Sequence, residues 1–269
     1  MLVSEFLKII NNMHLPLSQG LDLAAYMLNV DYNSVKSLYN KDIKSEMVEE
    51  VINKLNSHTP TAYITGRKEF YGREFYVDEN VLIPRVETEI LIEEVLKRYK
   101  NKQNLEVIDI CSGSGAIGLT IMQELKLKSM TLIDISQEAI NISKKNANLF
   151  NIKENIEYIC DDILLYTPLK KYDIVLCNPP YISESEYICL EEEVKKEPYH
   201  ALVAKNNGLE FYENIIMKFS LFCKDNGVIF FETGLNQKED VCKIAKSCNL
   251  NAEYIQDYAL NDRVCIVYK

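Results

Sequence analysis

Val107-Ile-Asp-Ile-Cys-Ser-Gly-Ser-Gly-Ala-Ile-Gly118 is the stretch on which the fold turns. Gly113, Gly115 and Gly118 keep the G-x-G-x-x-G spacing between a short apolar strand, 105–110, and a helical pattern over 117–125. Glycine at such positions lets the backbone turn tightly and approach a ligand closely. Downstream, apolar runs at 130–133, 156–159, 172–177 and 228–231 read as strands. Helical patterns at 137–150, 209–222 and 238–248 separate them. This alternation predicts a mostly parallel, doubly wound α/β sheet. The closing strands, 252–256 and 263–268, are joined by too few residues for a crossover helix, so the last must run antiparallel.

Upstream the pattern changes. Leu2, Phe6, Ile9 and Ile10 recur at helical spacing, as do Leu21, Ala24, Ala25 and Leu28, then Met47, Val48, Val51, Ile52 and Leu55. These predict a small helical bundle over 1–58, ended by Ser57-His58-Thr59-Pro60. Two aromatic and β-branched runs around Gly72 predict a β-hairpin linker within 59–86. A helix over 87–99 then opens the large domain, 87–269.

The chain has 269 residues, 47% hydrophobic and 26% charged, ordinary for a globular protein with a real core. Its net charge of −10 weighs against a nucleic-acid substrate, because proteins that grip phosphate backbones usually present a basic face. The eight cysteines form no C-x-x-C pair and the three histidines are widely spaced, so no metal site is expected. Mostly buried free thiols in a reducing compartment are expected instead. The N-terminus lacks a secretory pattern and no later run could span a bilayer, which points to the cytoplasm and away from membranes.

Three carboxylates define the expected ligand. Asp134 ends the second strand of the sheet, where it can accept hydrogen bonds from both hydroxyls of a ribose. Asp109, just before the glycine loop, would repel a pyrophosphate but suits a cationic ligand such as the ammonium or sulfonium of S-adenosylmethionine. Asp161-Asp162 ends the third strand, where Asp162 either reaches an adenine amino group or, with Asp161, is a solvated loop acid. At the end of the fourth strand stands Asn178-Pro179-Pro180-Tyr181. An amide –NH₂ is a poor nucleophile because its lone pair is delocalised. The Asn178 side-chain oxygen and the Pro179 carbonyl could each accept one of its hydrogens and orient the nitrogen toward a methyl donor. The prolines stiffen the loop, and Tyr181 offers a flat face for a planar amide or base.

With these motifs the chain resembles the release-factor glutamine N5-methyltransferases of the HemK/PrmC type. The resemblance spans nearly the whole sequence, through Pro60-Thr-Ala-Tyr-Ile-Thr-Gly66, Glu69-Phe-Tyr-Gly72 and Leu82-Ile-Pro-Arg-Val-Glu-Thr-Glu89, the glycine loop and Asn178-Pro-Pro-Tyr-Ile182. Later matches are Glu197-Pro198, Ala201-Leu202, Gly208-Leu209, Glu232-Thr-Gly234 with Gln237, and Asp262-Arg263. It implies a class I S-adenosylmethionine-dependent methyltransferase: a seven-stranded Rossmann-like sheet with its last strand antiparallel, a small N-terminal helical domain and a hairpin linker. The implied substrate is the glutamine of the Gly-Gly-Gln loop in class 1 peptide chain release factors, with S-adenosyl-L-homocysteine as product. Expected cofactor contacts are Asp109, Cys111, Ser112, Gly113, Ser114, Gly115, Asp134, Asp162, Ile163 and Asn178, with Asn178, Pro179, Pro180 and Tyr181 holding the substrate. Asn-Pro-Pro-Tyr alone is shared with adenine-N6 DNA methyltransferases, so methylation of DNA or RNA is the alternative expectation. A monomer is the default.

The chain departs from the family pattern at Cys111, where the wider methyltransferase class usually has glycine, and at Val86, where proline is common. Around 195–197 and 205–207 it is also less aromatic and less glycine-rich. Arg85, Glu87 and Glu89 either brace the wall of the site or form a surface ion-pair cluster.

Overall fold

The computed structural model describes residues 1–269. The chain divides into two compact units, Met1–Arg67 with Glu191–Lys196, and Lys68–Leu190 with Glu197–Lys269.

The first unit contains α1 (Val3–Asn12), α2 (Leu17–Leu28), a 3₁₀ turn (Tyr32–Ser37), α3 (Ser45–Asn56) and α4 (Thr61–Thr65). Phe6, Ile10, Leu23, Val35 and Val51 are buried in its core, the face that the helical spacing marks. Asn29 ends α2 in the left-handed region, φ +53°, where asparagine is better tolerated than most residues. The sequence does not disclose α4, because five residues carry no readable period. Pro60 starts it and Gly66, at φ +71°, stops it.

The hairpin of the second unit is β1 (Arg67–Phe70) and β2 (Arg73–Tyr76). Tyr71 and Gly72 both have positive φ, +50° and +67°, as a two-residue type I′ turn requires. Phe70 and Phe75 are buried among Leu91, Leu119 and Met130 of the large core. The ring of Phe75 meets that of Phe150 edge-on at 4.8 Å. The segment expected as a linker therefore divides, its helix in one unit and most of its hairpin in the other.

A 3₁₀ turn (Val86–Thr88) leads into α5 (Glu89–Tyr99), replacing the single helix expected over 87–99. Seven strands follow: β3 (Leu105–Ile110), β4 (Leu127–Asp134), β5 (Ile156–Cys160), β6 (Tyr172–Cys177), β7 (Cys223–Glu232), β8 (Asn251–Gln256) and β9 (Asp262–Tyr268). Their order is β5-β4-β3-β6-β7-β9-β8, parallel except that β9 runs antiparallel to both neighbours. Alternate residues face opposite layers. Val107, Met130, Ile174 and Phe230 enter one core, and Ile108, Ile133, Val175 and Phe231 the other. Burial on both faces accounts for the nearly unbroken apolar runs of these strands. The helix expected over 209–222 breaks at Lys218 (φ −88°, ψ 12°), giving Glu210–Met217 and Phe219–Phe222. No helix is long and apolar enough to cross a membrane.

Ile110 lies opposite both Ile133 and Cys177. The loops after β3, β4 and β6 therefore emerge level with one another, where the strand order reverses and ligands of such sheets bind.

Candidate active site

A cavity of about 340 Å³ opens at that edge. Of the residues expected from sequence, it gathers Cys111, Gly113, Asp134, Asp162, Ile163, Asn178 and Pro180. Asp134 receives the Gly113 N–H on one carboxylate oxygen (2.8 Å) and the Ser136 N–H on the other (3.0 Å). Burial pushes this carboxyl above the usual carboxylate range, against those two donors. Each oxygen keeps a lone pair for a ligand hydroxyl. Asp162 accepts from Leu164 N–H at 2.9 Å, which holds Ile163 against the cavity.

Asp109, Ser112, Ser114, Gly115, Pro179 and Tyr181 are not among the side chains that line this cavity and stand next to it along the same loops. Asp109 is 1% exposed and accepts from Gly118 N–H at 2.9 Å. A Cβ on Gly118 would lie 2.5 Å from Leu132 and 2.9 Å from the Asp109 carboxylate, so this glycine is required by packing. Ser114 is tied through its carbonyl to the Asn146 amide (2.8 Å), and the Gly113 carbonyl to the Ser143 hydroxyl (2.8 Å). These groups hold the loop in shape from behind. Tyr181 donates its hydroxyl to Glu232 at 3.2 Å, which fixes the end of its ring.

Three buried oxygens in these loops, Asp109 Oδ1, Ser112 Oγ and Asn178 Oδ1, have no hydrogen-bond partner. Each such group costs about 1–3 kcal/mol if left unpaired, so Asn178 Oδ1, the one on a residue that lines the cavity, marks a place where a ligand supplies a donor. An ammonium, two ribose hydroxyls and an adenine amino group are all donors, and none is a phosphate. The residues therefore fit S-adenosylmethionine.

Sequence reading missed other parts of the wall. Asn80–Leu82, Tyr199–Ala201, Val203, Lys205, Glu210 and Phe211 also line the cavity. They come from loops and short helices distant in sequence, and only the blocks beginning at Leu82 and Glu197 pointed toward them. The Ile-Pro-Arg block acts as bracing: Arg85 pairs with the buried Glu197, whose other oxygen accepts from Ile83 N–H at 3.1 Å. Glu89 accepts from Tyr71 N–H at 2.7 Å.

Residues 86–203 match the family model described as methyltransferase small domain. The chain is 39% identical over 252 residues to a release factor glutamine methyltransferase of Fusobacterium nucleatum, covering 90% of this chain and 70% of that protein. This chain belongs to the release factor glutamine methyltransferase family. A relative so named from Aquifex aeolicus is 32% identical, across 92% of this chain and 89% of its own. A bifunctional methyltransferase of Rickettsia typhi is 36% identical, but the chain spans only 46% of its length. In fold, a methyltransferase from Pyrococcus furiosus superposes with a TM-score of 0.56 at 13% identity, covering 83% of this chain and 98% of that one. A SAM-dependent methyltransferase from Agrobacterium tumefaciens gives 0.51 at 14%, covering 76% and 69%. The fold is that of the class I S-adenosylmethionine-dependent methyltransferases, and the chain is an enzyme that uses this cofactor.

Two properties of the family's loop can be measured here. Cys111 has φ +58°, a conformation costing a non-glycine residue about 1–2 kcal/mol, which explains why glycine suits this position. Cys111→Gly is expected to raise stability by up to about 1 kcal/mol, part of the gain being offset by glycine's greater freedom when unfolded. Urea unfolding midpoints check this. A clear loss would mean that the contact of Cys111 with the Cys177 thiol outweighs the strain.

Asp109 gives a pH dependence. Burial pushes its carboxyl up to about 7, whereas in the unfolded chain it titrates near ~3.9. The folded state is thus favoured below pH ~4 and loses that advantage as pH rises toward 7. Asp109→Asn should raise the apo-protein Tm at pH 8, by on the order of 2–4 kcal/mol of stability, and change little at pH 4. Equal shifts at both pH values would reject this.

Proposed function

We propose that this chain transfers a methyl group from S-adenosylmethionine to the side-chain amide nitrogen (N5) of the Gly-Gly-Gln glutamine in class 1 release factors. Family membership supports the substrate. One observation carries the chemistry: Asn178 lines the same cavity as Gly113 and Asp134, and its Oδ1 is buried without a partner.

In this reading the cofactor would lie against Cys111, Gly113, Asp134, Asp162, Ile163 and Asn178, with Asp109, Ser112, Ser114 and Gly115 holding the loop. When bound, the cofactor supplies an electrophilic methyl group. Asn178 Oδ1 accepts one N–H of the substrate amide and the Pro179 carbonyl the other. The two acceptors fix the nitrogen's direction of attack and disperse the positive charge it gains. Pro179 and Pro180, both buried, keep those acceptors in position. Tyr181, anchored through its hydroxyl to Glu232, would offer the flat face beside the substrate amide. We further propose that residues 1–58 serve as a helical domain and 87–269 as the catalytic domain, that the enzyme acts as a cytoplasmic monomer, and that it contacts no nucleic acid directly.

Purified enzyme with methyl-labelled cofactor should label a bacterial release factor on the glutamine-containing peptide, and replacing that glutamine by alanine should abolish the label. Label persisting in the alanine variant would reject the target residue. Transfer instead to adenine in an oligonucleotide would move the assignment to nucleic acid.

A further inference from the structure

A buried hydrogen-bond chain runs behind Asn178. Its Nδ2 donates to Thr88 Oγ1 at 3.4 Å. The Thr88 hydroxyl donates to Glu232 Oε2 at 2.5 Å, and the Tyr181 hydroxyl to Glu232 Oε1 at 3.2 Å. Thr88 is 3% exposed and Glu232 1%. The topology brings them together. Cys177 and Phe231 are paired across β6 and β7, so the next residues, Asn178 just past the end of β6 and Glu232 at the last position of β7, come side by side. The 3₁₀ turn Val86–Thr88 delivers the hydroxyl between them.

The direction of this chain follows from counting protons. A carboxylate can only accept, and a threonine hydroxyl has one proton to give. With that proton committed to Glu232, Thr88 can only accept from Asn178. The Asn178 amide must then present its –NH₂ to Thr88 and its oxygen away from it, and that oxygen is the buried, unpartnered Oδ1. The two ends of a primary amide are nearly equal in size, so packing alone does not choose between them. A flipped Asn178 would set –NH₂ against the substrate's –NH₂, two donors facing each other. Burial leaves the Glu232 carboxyl above its ordinary value. The Thr88 hydroxyl, the charge of Arg263 and the Tyr181 hydroxyl favour its ionised form and offset part of that rise.

We propose that Glu232, acting through Thr88, is the positioning device that sets the polarity of the Asn178 amide and so makes it an acceptor for the substrate nitrogen. The proposal rests on the reading of Asn178 given above.

Thr88→Val removes the hydroxyl, and Glu232→Gln keeps the shape but replaces one of the two acceptor oxygens by an –NH₂, so the Thr88 proton is no longer fixed toward position 232. Each should lower kcat about 10- to 100-fold, with KM for the release factor and Kd for S-adenosylmethionine changed by less than about 3-fold. The double variant should be no slower than the slower single one, because both act through one amide. Thr88→Ser should recover most of the rate lost in Thr88→Val. A readout independent of substrate is the ¹H–¹⁵N resonance pair of the Asn178 side-chain amide, assigned by its disappearance in Asn178→Asp. It should shift in the Val and Gln variants and return toward the wild-type position in Thr88→Ser. Resonances unmoved in both, or rate losses that multiply in the double variant, overturn the proposal. If wild-type enzyme leaves release factors unmethylated, the substrate reading falls, and the resonance shifts alone then decide the role of Glu232.

Discussion

Asn178→Ala is expected to lower turnover by about 10² or more while leaving S-adenosylmethionine binding within a few-fold of wild type. Asn178 follows β6 directly and lines the cavity at its boundary with the Asn-Pro-Pro-Tyr loop. Alanine removes the buried Oδ1 acceptor. The substrate amide then loses one of two groups that orient its nitrogen, and the developing positive charge loses a fixed dipole. Because these contacts strengthen as the nitrogen attacks, the loss should fall on kcat rather than on KM. Calorimetric binding of the cofactor and single-turnover methylation of a release factor separate the two. A variant with near-normal turnover would remove Asn178 from the chemistry. A variant that no longer binds the cofactor would make it a binding residue instead.

Gly208→Ala should be the most damaging single-methyl change in the chain. Gly208 has φ +84°, follows two residues at +52° and +54°, and lies against the backbone of Tyr181. An alanine Cβ there would stand 2.1 Å from the Tyr181 carbonyl oxygen and 2.7 Å from Gln237 Nε2. Gln237 Nε2 holds that same carbonyl at 3.0 Å. The clash is with backbone, so no rotamer relieves it, and the loop of Pro179–Tyr181 must move. Left-handed strain and overpacking together predict a loss of about 2–5 kcal/mol and, in whatever fraction remains folded, a fall in turnover of about 10-fold or more. Gly72→Ala is the control. It shares a positive φ of +67°, but its added Cβ would meet nothing within 4 Å. It should cost about 1–2 kcal/mol and leave turnover per folded molecule unchanged. Denaturant midpoints and initial rates compare the pair. If the two substitutions behave alike, the contact with Tyr181 is not what fixes the loop.

Much of this was legible because it is local. The apolar runs of the strands, their alternation with helices and the short connection between the last two follow from burial of both sheet faces. The order of carboxylates, glycines and Asn178 along the chain follows from a ligand held at strand ends. A five-residue helix, Thr61–Thr65, and the break at Lys218 escaped because neither leaves a period in the sequence. Asp109 was legible only in part. Its place at a strand end was visible, but not that the Gly118 N–H would take one of its carboxylate oxygens.

The sequence by itself determined the doubly wound sheet, the glycine loop after its first strand with the carboxylate of Asp134 at the end of the next, and an Asn-Pro-Pro-Tyr loop at the end of the fourth. Spacing and side-chain chemistry suffice for these, since each depends on neighbours within one strand–loop–helix unit. Only the tertiary structure decided which of those residues face the cavity and which support it. It also decided that Thr88, Glu232, Gln237 and Gly208 would meet at the Asn-Pro-Pro-Tyr loop. Those contacts join residues 29 to 144 positions apart. Packing, not local sequence pattern, chooses such partners.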